Sequence, residues 1–164
     1  MSTKIRAVVI TVSDACASGH RADTSGQVLV ELLGDLGAEI VEKKIIADDL
    51  DPLTQLLRQT CDRGDVNLIV TTGGTGLGPR DNTPEATLKV IEREAPGVAE
   101  AIRAESLKVT PMAMISRGVC GVCGGTLILN LPGSPKAVKE SFAVVKPVLS
   151  HAADLLAGKT EHRA

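Results

Sequence analysis

Val66-Asn67-Leu68-Ile69-Val70-Thr71-Thr72-Gly73-Gly74-Thr75-Gly76-Leu77-Gly78-Pro79-Arg80-Asp81-Asn82-Thr83-Pro84-Glu85-Ala86 is the stretch on which the fold turns. Residues 66–72 are apolar and rich in β-branched side chains, which suits a strand covered on both faces. The glycines start at once after it. Thr83, Pro84 and Glu85 then read as a helix start, with Thr83 as N-cap, Pro84 in the first turn and Glu85 favourable to the dipole. Strand, glycine loop and helix in succession make an α/β unit.

Working outward, the same grammar repeats. Residues 5–12 form a nearly continuous apolar run, followed by a polar loop over residues 13–23. Val28, Leu29, Leu32, Leu33 and Leu36 recur at helical spacing, and Gly37 is placed to end that helix. A strand is predicted over residues 39–46, then a helix from near Pro52. After Thr83 helical segments are expected to run to Val109, broken near Pro96-Gly97. Residues 126–130 are the last clear buried strand, and residues 135–156 the final helix, followed by a polar tail expected to fray. Strands alternating with helices predict a three-layer αβα fold around a mostly parallel sheet. No repeat or linker interrupts residues 1–164, so one domain is expected, with its core in residues 5–156.

Composition narrows the function. The chain has 164 residues, a net charge of −2 and no basic block, which argues against nucleic acid as partner. Phe142 is the only residue among Phe, Trp and Tyr, so a base-stacking platform is excluded. No apolar stretch approaches the ~20 residues that span a bilayer, and no secretory signal is visible, so a cytoplasmic location is expected. Cys120-Gly-Val-Cys123 has redox or zinc spacing but no second ligand pair, and small residues in a Gly-rich strand or turn are the simpler reading. His20, His151 and His162 lack the partners of a Ser-His-Asp triad and read as surface residues.

In open parallel sheets ligands bind beyond the carboxyl ends of the strands. Four polar segments fall there: Ser13-Asp14, Asp48-Asp49, the loop from Gly73 to Asp81, and Pro132-Gly133-Ser134. The loop lacks the Gly-Lys-Ser/Thr of a Walker motif and the G-x-G-x-x-G order of a dinucleotide fingerprint. Its glycines let amides approach an anion closely, and Arg80 is a candidate partner for phosphate. Asp48 and Asp81 follow adjacent strands and suit Mg²⁺, which takes one or two carboxylates plus substrate phosphates. A bland reading stands beside each: Asp48 as a solvated loop residue or cap, Asp81 as support for the loop, and Ser13, Ser25 and Ser134 as helix caps.

Together these residues resemble the molybdopterin-binding proteins of the MogA/MoaB type, including the G domain of gephyrin. The resemblance runs from Ile5 to Leu156 and rests on Thr11-Val12-Ser13-Asp14, Asp23-Thr24-Ser25-Gly26, residues 71–87, Ser116-Arg117 and Asn130-Leu131-Pro132-Gly133-Ser134-Pro135. It implies a homotrimer and a Mg²⁺- and ATP-dependent adenylylation of molybdopterin. By position, it implies Asp48 and Asp81 as the catalytic pair, with Asp48 on the metal. It implies Gly73, Gly74, Thr75 and Gly76, with Ser116 and Ser134, on the pterin phosphate. It implies Ser13, Ser25 and Gly26 on the nucleotide side, and a molybdate-insertion protein as a further partner. A non-catalytic pterin carrier of the same family is the alternative, and a flavodoxin-like protein a weaker third. Two residues depart from the family pattern: Asn82 stands where a small apolar residue is usual, and Thr24 where Arg is frequent, which puts an anion contact in doubt.

Overall fold

The computed structural model describes residues 1–160. The chain order is β1 (Arg6–Val12), α1 (Asp14–Ala17), α2 (Thr24–Asp35), β2 (Glu39–Ile46), α3 (Leu50–Asp62), β3 (Leu68–Thr72), α4 (Thr83–Leu88), β4 (Arg93–Glu94), α5 (Pro96–Leu107), a 3₁₀ turn (Pro111–Ile115), β5 (Cys120–Cys123), β6 (Thr126–Leu131) and α6 (Pro135–Leu156). The six strands form one sheet in the order β2-β1-β3-β6-β5-β4. β2, β1, β3 and β6 are parallel, while β5 and β4 add an antiparallel edge.

Alternation along the strands divides the core into two layers. Ala7 and Val9 of β1 pack with Leu29 and Leu33 of α2, Ile102 of α5, and Val138, Phe142 and Val145 of α6. Val8, Ile10 and Val12 face the other way, onto Leu53 and Leu57 of α3 and Ala86 of α4. Helices therefore cover both faces, and Arg6, at the start of β1, is the one charged residue in β1, β3 and β6. The buried polar side chains of these strands find partners, Thr72 and Thr126 on backbone carbonyls. Buried Asn130 donates through Nδ2 to Thr71 Oγ1 and Thr87 Oγ1, both at 3.0 Å, and accepts from the Val119 N–H at 3.2 Å. This network locks β3, β6, α4 and the approach to β5 in one arrangement.

The sequence reading needs correction at several points. The expected helical continuation after Thr83 is a six-residue α4, then β4, then α5 beginning at Pro96. The segment before Pro96 extends because Glu92 and Ala95 donate to the carbonyls of Val122 and Cys120. Thr83 is not the N-cap: Asn82 is, without a side-chain capping bond. The supposed loop after β1 contains α1, capped by Ser13, whose Oγ accepts from the Cys16 N–H. The tail is held at its start, where Lys159 donates to the Asp154 and Met1 carbonyls. His162 lies outside the described residues.

β1 connects to β2 on one side, and β3 lies on the other, so strand order reverses between β1 and β3. Clefts form at such a reversal, beyond the carboxyl ends of the strands. Val12, Ile46, Thr72 and Leu131, the last residues of the four parallel strands, lead into the four polar segments.

Candidate functional site

A cavity of about 540 Å³ opens at that edge, within the range of small-molecule sites. Its walls include Ser13, Ser25, Asp48, Gly73, Gly74, Asp81 and Ser134, so all four rim segments converge on it. Four other expected site residues lie off its wall. Gly26 lies in the first turn of α2, its N–H given to Asp23 Oδ1 at 2.9 Å. Thr75 and Gly76 lie further along the loop, and Ser116 closes the 3₁₀ turn.

The turns around the cavity fit only because glycine stands at two of them. Gly73 has φ +100°, and a Cβ there would sit 2.3 Å from the Val12 carbonyl oxygen. Gly74 has φ +68°, and its Cβ would fall 2.3 Å from Thr83 Oγ1 and 3.1 Å from Asp48 Oδ1. Any side chain would therefore push the loop off β1 or displace an acidic group. Thr83 closes the base of the loop, its N–H bonded to the Gly74 carbonyl at 3.1 Å and its hydroxyl to the Gly73 carbonyl at 2.9 Å. With only six residues, α4 adds little dipole; Thr83 contributes as a clamp.

Asp48 and Asp14 cross-brace the rim. The Asp14 N–H donates to Asp48 Oδ2 at 2.9 Å, and the Asp48 N–H to Asp14 Oδ1 at 3.0 Å. Asp48 Oδ1 is buried and accepts nothing from the protein among the described residues. Burial pushes the Asp48 carboxyl up, and the negative charges of Asp14 and Asp81 push it further, against the Asp14 N–H. Asp81 turns Oδ2 onto the Gly78 N–H at 2.8 Å, so it shapes the loop and faces the cavity at once.

A buried, unpartnered carboxylate oxygen beside a second acid is an environment that a cation relieves. No group of three or more metal-ligating side chains occurs among the described residues. The protein thus supplies at most a pair of carboxylates, the donor set of Mg²⁺ completed by phosphates and water.

Arg80, expected on phosphate, is committed elsewhere. It donates to Asp14 at 2.6 and 3.0 Å and to Asp49 at 2.9 Å, and holds the Asp14 carboxyl down at about 2. Asn82 adds long bonds from Nδ2 to the Asp48 and Arg80 carbonyls, at 3.4 and 3.3 Å. Asn82 thus joins the two acidic loops.

Arg117 is the residue that sequence reading undervalued. Its N–H donates to the Thr75 carbonyl at 2.8 Å, and its guanidinium to the Gly76 and Asp81 carbonyls, both at 2.7 Å. Glu85 pairs with the same guanidinium. One side chain thus fastens both limbs of the loop that carries Asp81. Only its place beside Ser116 hinted at this, since the contacts span about forty residues of chain.

The nucleotide-side candidates surround the start of α2. The Asp23 side chain, 4% exposed, accepts from Thr11 Oγ1 at 2.8 Å, from the Gly26 N–H, and from Lys43 at 3.1 Å. A Cβ at Gly26 would lie 2.2 Å from Asp23 Oδ2, so glycine is what lets the carboxylate fold over the helix start. Ser134 Oγ caps α6 through the Ala137 N–H at 3.2 Å. The bland capping role is thus real for Ser134 and Ser13, alongside their place on the cavity wall.

Comparison with known proteins matches residues 8–151 to the family described as "Probable molybdopterin binding domain". The chain is 40% identical over 152 residues to the molybdopterin adenylyltransferase of Helicobacter pylori strain J99, covering 92% of this chain and 86% of that one. It is 48% identical over 149 residues to the molybdenum cofactor synthesis protein cinnamon of Drosophila melanogaster, covering 90% of this chain but spanning only 25% of that protein. Among solved structures, the molybdopterin biosynthesis enzyme MoaB of Thermus thermophilus superposes with a TM-score of 0.88 at 48% identity, covering 94% of this chain and 98% of that one.

Proposed function

The chain belongs to the molybdopterin-binding domain family, and from that premise we propose that it is a molybdopterin adenylyltransferase of molybdenum cofactor biosynthesis. The carrying observation is that Asp48, Asp81, Gly73 and Gly74 face one cavity. The name of the Helicobacter pylori relative supports the same reaction.

In that reaction an oxygen of the terminal phosphate of molybdopterin attacks the α-phosphorus of ATP. A new P–O–P linkage forms, the bond to the β-phosphate oxygen breaks, and pyrophosphate leaves. Catalysis of this kind is alignment and charge neutralisation, so no side-chain nucleophile is needed. The Gly73-Gly74 turn lets backbone approach the pterin phosphate closely, with Thr75, Gly76, Ser116 and Ser134 assigned to the same substrate. Ser13, Ser25 and Gly26 are assigned to the nucleotide. Asp48 and Asp81 would hold Mg²⁺, which would supply neutralisation of charge developing on the transferring phosphoryl oxygens. The orphaned Asp48 Oδ1 supports that assignment.

The protein is further proposed to be a homotrimer. An apolar groove between α5 and α6, with Val148 47% and Leu155 45% exposed on or beside its wall, supports contact between copies. Four free cysteines support a reducing, cytoplasmic setting. A molybdate-insertion partner is proposed because relatives such as cinnamon carry this stretch within a much longer chain.

The test is pyrophosphate release from Mg-ATP and molybdopterin, in wild type and Asp81→Asn. Release by wild type and a fall of ~100-fold or more in the variant is the expected result. A wild type that binds the pterin tightly yet releases no pyrophosphate would make the protein a carrier.

A further inference from the structure

The wall of the cavity that leads into α2 carries a guanidinium, three residues before Thr24. Arg21 and Thr24 both line it, and Arg21 is the one basic residue among the lining residues. Its Nη2 donates to Ser13 Oγ at 3.1 Å, the only side-chain bond it makes among the described residues.

Arg21 makes no ion pair among the described residues; Arg58 and Arg103 likewise turn to backbone carbonyls, but of these Arg21 alone lines the cavity. Arg6, Arg63, Arg80 and Arg117 each sit against a carboxylate. Arg21 shares its cavity with Asp48 and Asp81 and pairs with neither among the described residues. A cation held in a cleft beside acids, but not neutralised by them, is left to meet an anion from outside.

Its segment is also fixed in place. The Arg21 N–H donates to the Ala15 carbonyl at 3.2 Å, and Cys16 Sγ to the Ala22 carbonyl at 3.8 Å, just before the Asp23 cap. The first residues of the twelve-residue α2, Thr24 and Ser25, complete the same wall. Two carboxylates repel an oligophosphate, and one unpaired guanidinium on the same cavity offsets that repulsion.

We propose that Arg21 is a binding residue for the oligophosphate of the nucleotide co-substrate, on the wall it shares with Thr24 and Ser25. The assignment rests on the adenylyltransferase reading. It concerns binding of the leaving pyrophosphate end, not the chemical step.

The test is calorimetric titration of the whole chain with inorganic pyrophosphate, ATP and inorganic phosphate. Wild type, Arg21→Gln, Arg21→Lys and the double variant Arg21→Gln/Thr24→Arg are compared. Loss of one charge-assisted phosphate contact predicts pyrophosphate and ATP binding weakened about tenfold in Arg21→Gln, with inorganic phosphate affected less. Lysine should restore part of the loss as a point charge, and Thr24→Arg most of it. Since Arg21 is exposed, the melting temperature should not move. Pyrophosphate affinity within twofold of wild type in Arg21→Gln overturns the assignment. So does equal weakening of phosphate and pyrophosphate, which would put the guanidinium on a lone phosphate. A wild type that binds neither ATP nor pyrophosphate sinks the adenylyl-transfer reading along with it.

Discussion

Replacing Arg117 by Ala removes the side chain that fastens the loop, and the cost can be worked from its bonds. The guanidinium makes two charge-assisted bonds to backbone carbonyls, each at 2.7 Å. At about 1.5 kcal/mol each, they sum to about 3 kcal/mol. The side chain is 32% exposed, so water recovers part of that. Roughly 1.5–2 kcal/mol remains after screening. If the loop alone bears it, the ratio of ordered to disordered loop falls ~10–30-fold, and kcat/KM for molybdopterin falls by up to that factor. A loop that orders again on binding leaves kcat within about threefold and raises KM. The melting temperature should drop by ~3–8 °C, and Arg117→Lys should recover part of both effects. Steady-state pyrophosphate release with molybdopterin varied, alongside thermal melts, reads all of these. An Arg117→Ala enzyme with kcat/KM within twofold of wild type would refute the reasoning, because the loop would then hold its shape without the strap.

Three further outcomes follow from the geometry. Gly74→Ala meets both a left-handed backbone and Thr83 Oγ1 at 2.3 Å, so a loss of ~1–3 kcal/mol in stability is expected by denaturant titration, with pterin binding abolished. Asn130→Leu strands the Val119 N–H and the Thr71 hydroxyl, while Thr87 keeps its bond to the Thr83 carbonyl; at about 1 kcal/mol or more for each stranded group, the melt should fall by at least ~4 °C, and an unchanged melt would contradict the network. For Asp23, burial pushes the carboxyl up, but Thr11, the Gly26 N–H and Lys43 outweigh it and leave the carboxyl below its ordinary value. Because the folded state depresses this pKa, its contribution is complete above the unfolded value and is lost as pH falls through the folded one. Asp23→Asn should therefore flatten the fall in stability as pH drops below the ordinary carboxylate range, relative to wild type, measured by melts across acid pH.

How far the sequence could be read depends on where each signal comes from. β1, β3 and β6 were legible because burial on both faces demands uninterrupted β-branched runs, and α6 because twenty-two residues carry a sustained helical period. β4 was not, since two charged residues, Arg93 and Glu94, have no pattern to detect and owe their extension to β5. The convergence of Ser13, Asp48, Gly73 and Ser134 was legible because sheet topology gathers strand ends whatever the side chains are. The arginines were not: Arg80, beside the glycines, serves Asp14 and Asp49, while Arg21 enters the cavity and Arg117 holds the loop. Long side chains on loops find partners set by tertiary structure, and local sequence does not record them.

Crystals grown with molybdopterin, a non-hydrolysable ATP analogue and Mn²⁺ in place of Mg²⁺ would place the guests directly. An anomalous peak about 2.2 Å from Asp48 Oδ1, with the pterin phosphate against the Gly73-Gly74 backbone, is the expected result. A pterin bound away from this cavity, or a cation that leaves Asp48 and Asp81 untouched, would contradict it.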